Sequence, residues 1–489
     1  MKLLTNGFTP KWLLIFSLSL FIFISCQKGT KDFPAQQESY SVAQEDTIQN
    51  GNNGNNGENG HLRQTKTFSS DVVVRWLNMQ LDMLRVPLAP GAGTQAANRA
   101  MAYCGIATYE AVVPGMPAYQ TLTGQLNDFP GMPVAESGKA YHWAASANAA
   151  LAEMNRKLFP TASLANKAKI DDLENTLQAI YTGETDAATL ARSVAFGKGV
   201  AGSVFKWASL DGSGNANPPY VPAPQFIGPG FWVQSLRTAP LPPLSTTPPN
   251  FPQATNPYAS QLRLITPDVV NGTTIEPPPA YSTVPGSPFY EMVKDVYDKS
   301  KALTPEQIAM ALYHRDAPGY PGGGHFVAIL SQVLVKAGSM LDIAALAYAK
   351  TGIASFDATT ICFVKKYTYN LVRPINYIRN VIRDTTWNAL IITPGHPEFP
   401  SAHAVNSAAI ATALTDVLGD NFQFTLNTYS YLTPSLPDRS YNSFHEMAKE
   451  MSDSRVLGGI HYQASCDKGL WLGNKIGQNI LNEVKFLKD

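Results

Sequence analysis

Apolar residues recur at three- and four-residue spacing through much of the chain, in runs 72–84, 96–113, 139–158, 167–181 and 187–207, then 289–300, 305–313, 326–338 and 341–350, and again in an alanine-rich run over 404–414. This period matches the turn of an α-helix, so each run predicts a helix with one face turned inward. No convincing alternating strand pairs accompany them, and the expected fold is all-α, built as two helical bundles. Between the bundles, from about 209 to 288, Pro, Gly, Asn and Thr dominate, as in Asn217-Pro218-Pro219-Tyr220 and Glu276-Pro277-Pro278-Pro279. A connection this long inside a folded body is either disordered or functional cover. Its Phe226, Phe231, Trp232 and Tyr258 favour cover: a packed segment running over the body and lining a cleft.

The N-terminal stretch departs from this pattern. Lys2 and Lys11 precede an apolar run over 12–24 that is short for a membrane span and reads as a secretory signal. Ser25-Cys26 resembles a bacterial lipobox, so Cys26 is expected to be the lipid-modified first residue of the mature protein; the alternative is an ordinary cleavage site beside an incidental cysteine. Residues 27–64 are polar, with Asn50-Gly51-Asn52-Asn53-Gly54-Asn55-Asn56-Gly57 at low complexity, and predict a flexible tether. The expected layout is a signal over 1–26, a tether over 27–64 and a helical body over 65–489. Within that body, 65–208 is an N-terminal half, 209–288 the proline-rich connection and 289–489 a C-terminal half. Such a protein would be exported and held at a bacterial cell surface or in the periplasm, touching membrane only through its anchor.

Lys plus Arg and Asp plus Glu each number 37, for a formal charge of +0 with 15% charged residues, which argues against a nucleic-acid partner. Apart from Cys26 the cysteines are Cys104, Cys362 and Cys466, without metal-ligand spacing, and no disulfide framework is expected.

Candidate chemistry lies between Lys366 and His461. Lys366 and Arg373 stand seven apart ahead of Pro374. On a continuous helix both cations would share a face, about 10 Å apart along the axis, with Pro374 ending or kinking it. In His396-Pro397-Glu398-Phe399-Pro400-Ser401-Ala402-His403, Pro400 suits the first helical position. That would put Ser401, Ala402 and His403 in a first turn whose free N–H groups attract anions. In Ser454-Arg455 through His461, the pair Gly458-Gly459 interrupts the helix and lets Arg455 and His461 turn toward one point. Each piece alone has a bland explanation: a solvated face, a helix cap, a structural histidine. The ordered set K-x6-RP, PSxH and SR-x5-H rarely arises by chance.

This set resembles the three-part signature of the vanadium-dependent haloperoxidases and the type 2 phosphatidic acid phosphatase superfamily. The likeness extends to Phe356-Asp357-Ala358 before the first motif, Ser443-Phe444 through Glu450 before the third, and Gly458-Gly459-Ile460-His461-Tyr462. Asn98-Arg99 and Tyr109 to Val112 look like the family's early helix, although an ordinary core helix explains them as well. Gly324-His325-Phe326, at the end of a glycine-rich run, resembles a Gly-His-aromatic element of bacterial haloperoxidase relatives, for which a structural role is expected.

The resemblance implies a bound vanadate. Lys366, Arg373, Ser401, Ala402 and Arg455 would hold its oxygens, and His461 would be the metal ligand. His403 would serve as acid/base. Lys366 would polarise hydrogen peroxide, and halide attack would release hypohalous acid. His396, seven before His403, resembles the histidine of bromoperoxidases, where chloroperoxidases tend to carry an aromatic; otherwise it is a loop residue between Gly395 and Pro397. An organic halogen acceptor is a further expected partner.

Two positions depart from the pattern. Ala402 stands where the usual motif has Gly, adding a Cβ at the oxyanion pocket and making a positive φ costly. Ser465 stands where many relatives carry an Asp that orients the ligand histidine, leaving Asp467 or a backbone carbonyl for that task. The leading expectation is oxidation of bromide or iodide by peroxide. Next come a periplasmic acid phosphatase with a phosphohistidine intermediate, and a surface lipoprotein that has lost catalysis.

Overall fold

Helices dominate the computed structural model, which describes residues 63–85, 93–216, 219–233, 254–315 and 324–488. The expected signal over 1–26, the lipid site Cys26, the tether as far as residue 62 and the glycines Gly319 to Gly323 lie outside the described residues. Among the described residues there are thirteen α-helices. These are α1 (Asp71–Arg85), α2 (Gly93–Val112), α3 (Trp143–Leu158), α4 (Leu164–Thr182), α5 (Ala187–Ala208), α6 (Pro288–Lys301), α7 (Pro305–Tyr313), α8 (Gly324–Ala337), α9 (Leu341–Tyr369), α10 (Pro374–Tyr377), α11 (Ala402–Leu418), α12 (Phe444–Leu457) and α13 (Gln463–Glu483). None of them is long and apolar enough to cross a membrane.

Local signals explain most boundaries. The run beginning at 139 becomes helical only at Trp143, because the His142 ring accepts the Ala145 N–H at 3.1 Å and caps α3. Thr304 and Gln307 close a reciprocal capping box with Pro305 in the first turn, which starts α7 where the sequence predicts. The run over 341–350 extends much further than expected, through 29 residues to Tyr369. Nearly every residue of α9 from Ala344 to Phe363 is buried. A helix covered on all sides has no polar face to mark its period, so its length was hidden.

That buried helix is the spine shared by two groups of helices. On one side α2 packs on α9 and α3, and α3 on α4 and α5; on the other α11 packs on α9, α12 and α13. Gly469, Gly473 and Gly477 form the surface by which α13 meets α11: a Cβ at Gly469 would lie 2.8 Å from the Ala404 Cβ and 3.0 Å from the Ser401 carbonyl. The close approach sets the start of α11 against α13. A short antiparallel pair, β1 (Phe424–Leu426) and β2 (Arg439–Tyr441) in register Phe424↔Tyr441, corrects the expectation of no strand pair. Three residues per strand are too few for alternation to be visible.

The proline-rich connection, where described, is packed cover. Asp357 on α9 accepts the Ile265 and Thr266 N–H groups at 2.7 and 3.0 Å, and burial pushes its carboxyl up to about 7. Tyr369 and Tyr377 donate to the Ile275 and Ser282 carbonyls. Trp232 donates its N–H to Asn370 O at 2.7 Å, and Thr255 to Gly395 O at 2.9 Å. Trp232 also joins Phe363 and Tyr367 in a small aromatic core on which Ala402 rests. The connection is therefore tied directly to the segments that carry the first two motifs.

Candidate active site

The three motifs meet in the interior. Lys366 sits in the last turn of α9 and is fully buried, its Nζ donating to the carbonyls of Pro397 at 3.0 Å and Glu398 at 2.9 Å. The helix ends at Tyr369, with Asn370 at φ 48°, so Lys366 and Arg373 do not share a helical face as the spacing predicts. Pro374 instead opens α10, and Arg373 is the residue before that helix, folded back by the intervening turn.

Arg373 is the hub. Its fully buried guanidinium donates from Nε to His396 O at 2.9 Å, from Nη2 to His396 Nδ1 at 2.9 Å, and from Nη1 to Ile460 O at 2.8 Å and His461 Nε2 at 3.2 Å. A guanidinium only donates, so both histidine nitrogens present lone pairs to it. His461 therefore keeps its proton on Nδ1, which donates to Glu398 Oε1 at 2.8 Å. Burial, then Arg373, Lys366 and Arg455, hold this imidazole well below its ordinary pKa, so it is neutral.

Glu398 is the residue that sequence reasoning missed. Its buried carboxylate also accepts the Tyr462 N–H at 2.9 Å and the Ser465 hydroxyl at 2.6 Å. The task assigned to Asp467 or a backbone carbonyl thus falls to Glu398; Asp467 points outward and accepts from Gln463 instead. Ser465, read as a loss, contributes a donor to the carboxylate that orients His461. A signal was present in Pro397-Glu398-Phe399-Pro400: an acid inside an apolar, proline-bounded stretch is buried only with partners.

The second motif is shifted by two residues from expectation. Helix α11 starts at Ala402, and Ser401 rather than a residue further back occupies the capping position, with no side-chain cap bond. Its buried Oγ has no nitrogen or oxygen partner, only the Cys466 thiol beside it. Ala402 has an ordinary negative φ in the first helical position, and it packs on the apolar cores. The anticipated strain at this position is absent. His403 follows in the first turn, half-buried, close enough to His396 and His325 for its charge to lower both of their pKa values. His396 is buried, edge-on to Phe363 with ring centres 5.0 Å apart, and so lies inside the site rather than in an outer loop.

From the third motif, Arg455 in the last turn of α12 donates to the His314 carbonyl. Gly458 closes that helix and Gly459 takes φ 77°, so the chain turns back and delivers His461. His314 is itself locked behind Arg455. Its Nε2 meets Glu450 Oε1 at 2.8 Å, and Glu450 takes further hydrogen bonds from Arg439 and Tyr441; burial would raise the Glu450 carboxyl, but His314 first, then Arg439 and Tyr441, hold it down to about 2.

Arg373 is thus hydrogen-bonded to His396 and His461, Lys366 and Arg455 lie close enough to His461 to lower its pKa, and His403 close enough to His396 to do the same, while Ser401 and Ala402 begin α11. Among the described residues no cluster of three or more His, Cys, Asp or Glu is placed to hold a metal cation. The donor set is of the opposite kind: three buried cations, a hydroxyl without a nitrogen or oxygen partner and a helix N-terminus suit a tetrahedral oxyanion, whose central atom would replace Arg373 Nη1 at the one neutral imidazole lone pair.

Comparisons with known proteins bear on the fold. The family described as the VCPO second helical-bundle domain matches residues 346–489. No curated protein matches the sequence. Among solved structures, a bacterial vanadium-dependent iodoperoxidase is similar at 28% identity and TM-score 0.74, over 86% of this chain and 98% of that one. The apo form of a bacterial vanadium-dependent chloroperoxidase is similar at 15% identity and TM-score 0.59, over 82% and 96%. Its holo form gives 16% and 0.57, over 84% and 92%. The three ordered motifs, the match of residues 346–489 and the helical fold built on α9 make this chain similar to the bacterial vanadium haloperoxidases.

Proposed function

We propose that this protein is a vanadate-dependent haloperoxidase that oxidises bromide or iodide with hydrogen peroxide to hypohalous acid. The observation that carries the reading is the His461 Nε2 lone pair, held neutral among three buried cations and fixed by Glu398 through Nδ1. The similar iodoperoxidase structure supports halide oxidation as the reaction class. Bound vanadate supplies a Lewis-acidic centre that activates peroxide toward halide without a change in oxidation state.

The chain's own residues do the rest. Lys366, Arg373, Arg455 and Ser401 would hold the oxygens of a bound vanadate, and His461 would offer it the Nε2 lone pair that Arg373 Nη1 engages here. Burial lowers the Lys366 ammonium well below its ordinary range, and an anion beside it restores the charged form. Conversion of peroxide, halide and a proton into hypohalous acid and water consumes one proton per turnover. His403, half-buried in the first turn of α11, is the group that supplies it. His396 keeps Arg373 in place through Nδ1. The proposed setting is a lipoprotein anchored through Cys26, with residues 65–208 and 289–489 as the two helical halves and an organic molecule as final halogen acceptor.

Incubation of the full chain with orthovanadate, peroxide and bromide or iodide tests the reading through halogenation of an acceptor dye. Turnover that requires vanadate supports it. Hydrolysis of p-nitrophenyl phosphate that vanadate inhibits would make the protein a phosphatase, and silence in both assays would make it a binding protein.

His396→Phe is expected to lower bromide oxidation more than iodide oxidation. The variant leaves the Arg373 Nη2 donor without its imidazole acceptor, and bromide, the harder halide to oxidise, depends more on a fully polarised peroxide. An unchanged bromide-to-iodide rate ratio would leave His396 with no part in halide choice.

A further inference from the structure

Arg315, immediately after the residue that caps α7, is a buried cation that the chemistry above does not use. It is 8% exposed, and its Nε and Nη2 atoms are shielded from solvent and have no hydrogen-bond partner among the described residues. Burial lowers its pKa, and what opposes that effect among the described residues is the pair Tyr429 and Tyr431, with no carboxylate. A guanidinium held in a low-dielectric wall with free N–H donors is costly unless an anion joins it.

Among the described residues, two tyrosines lie near it. The Tyr429 hydroxyl is committed to the Arg315 carbonyl at 3.1 Å, and the Tyr429 ring lies 5.6 Å from that of His325 and 6.3 Å from that of Tyr431. The position is also one peptide from the oxyanion site, because the His314 carbonyl that receives Arg455 belongs to the same peptide unit as the Arg315 N–H.

We propose that Arg315 forms a binding site for a monovalent, weakly hydrated anion, bromide or iodide. This rests on the haloperoxidase reading for its catalytic meaning but not for the binding itself. One cation among aromatic rings does not supply the several donors that a phosphate or vanadate takes from Lys366, Arg373, Ser401 and Arg455. Small, strongly hydrated anions lose more on entering such a wall than large polarisable ones, so the expected order is iodide over bromide over chloride. Here Arg315 binds and selects halide; it does not touch the bound oxyanion.

Two measurements on the full chain decide it. Crystals soaked in bromide and measured at the bromine absorption edge should show an ion against the Arg315 guanidinium in the wild type and none in Arg315→Met. In steady state, Arg315→Met should raise KM for iodide by about tenfold or more, the loss of one charged hydrogen-bonding partner. It should leave kcat at saturating iodide and vanadate affinity within about twofold, a smaller change than any lost hydrogen bond would cause. Arg315→Lys should fall between.

Bromide at surface positions only, an adventitious ion only, would overturn the site, as would an unchanged KM in a folded Arg315→Met protein. If the wild type turns over no halide, the haloperoxidase reading fails while the bromide map still decides for or against the anion site. If Arg315→Met does not fold, the wild-type map and the Arg315→Lys KM carry the decision.

Discussion

Replacing His461 with alanine is expected to raise the Kd for vanadate by at least about 100-fold, or about 3 kcal/mol, and to end peroxide-dependent halide oxidation. The groups that would hold the oxygens are cations, a hydroxyl and amides, and His461 Nε2 is the lone pair placed among Lys366, Arg373 and Arg455. The three cations remain in the variant and still draw anions electrostatically. Phosphate, which needs charge neutralisation but no bond from nitrogen to its centre, should therefore lose much less affinity than vanadate. Equilibrium dialysis with each anion gives the comparison. Equal losses would mean that His461 acts only through charge or packing, and retention of tight vanadate binding would remove it as the ligand.

Glu398→Gln should separate orientation from charge at the same site. The substitution keeps shape and most hydrogen-bonding capacity but removes the buried negative charge that accepts His461 Nδ1–H and the Tyr462 N–H. Two consequences oppose each other. The pocket becomes more positive, which favours any anion, while the imidazole loses the partner that fixes its tautomer and raises the basicity of Nε2. Outer partners of ligating histidines are worth about 10–100-fold in affinity, so the second effect should win for vanadate. Phosphate, indifferent to Nε2 basicity, should bind as well as before or better. A parallel change in both affinities would show that Glu398 acts as a structural acid and not as the positioning residue of His461.

Much of the candidate site was legible because its chemistry is carried by short strings. Lys366, Arg373, Ser401, His403, Arg455 and His461 stand in three local motifs whose order is visible without any knowledge of contacts. The Gly458-Gly459 pair was legible for the same reason: a positive φ at Gly459 is a local property, and it turns the chain toward the pocket. Spacing misled where it assumed a continuous helix. Seven residues from Lys366 to Arg373 suggest one face, but Asn370 adopts a left-handed conformation and ends α9 between them. The convergence of the two cations is made by that turn and by the hydrogen bonds of Arg373 to the His396 and Ile460 carbonyls.

The sequence by itself determined the helical class, most helix positions and the identity of the groups that converge, because periodicity, caps and motif residues act over a few positions. Tertiary structure alone decided which group orients His461, that Ala402 sits without strain, and that α9 runs unbroken for 29 residues. Those outcomes depend on burial. Inside a low-dielectric core a carboxylate such as Glu398 stays only where Tyr462, Ser465 and His461 all donate to it, and those partners lie more than sixty positions along the chain. Their meeting is set by the close packing of α11 on α13 and by the turn at Gly459, which no local pattern of residues specifies.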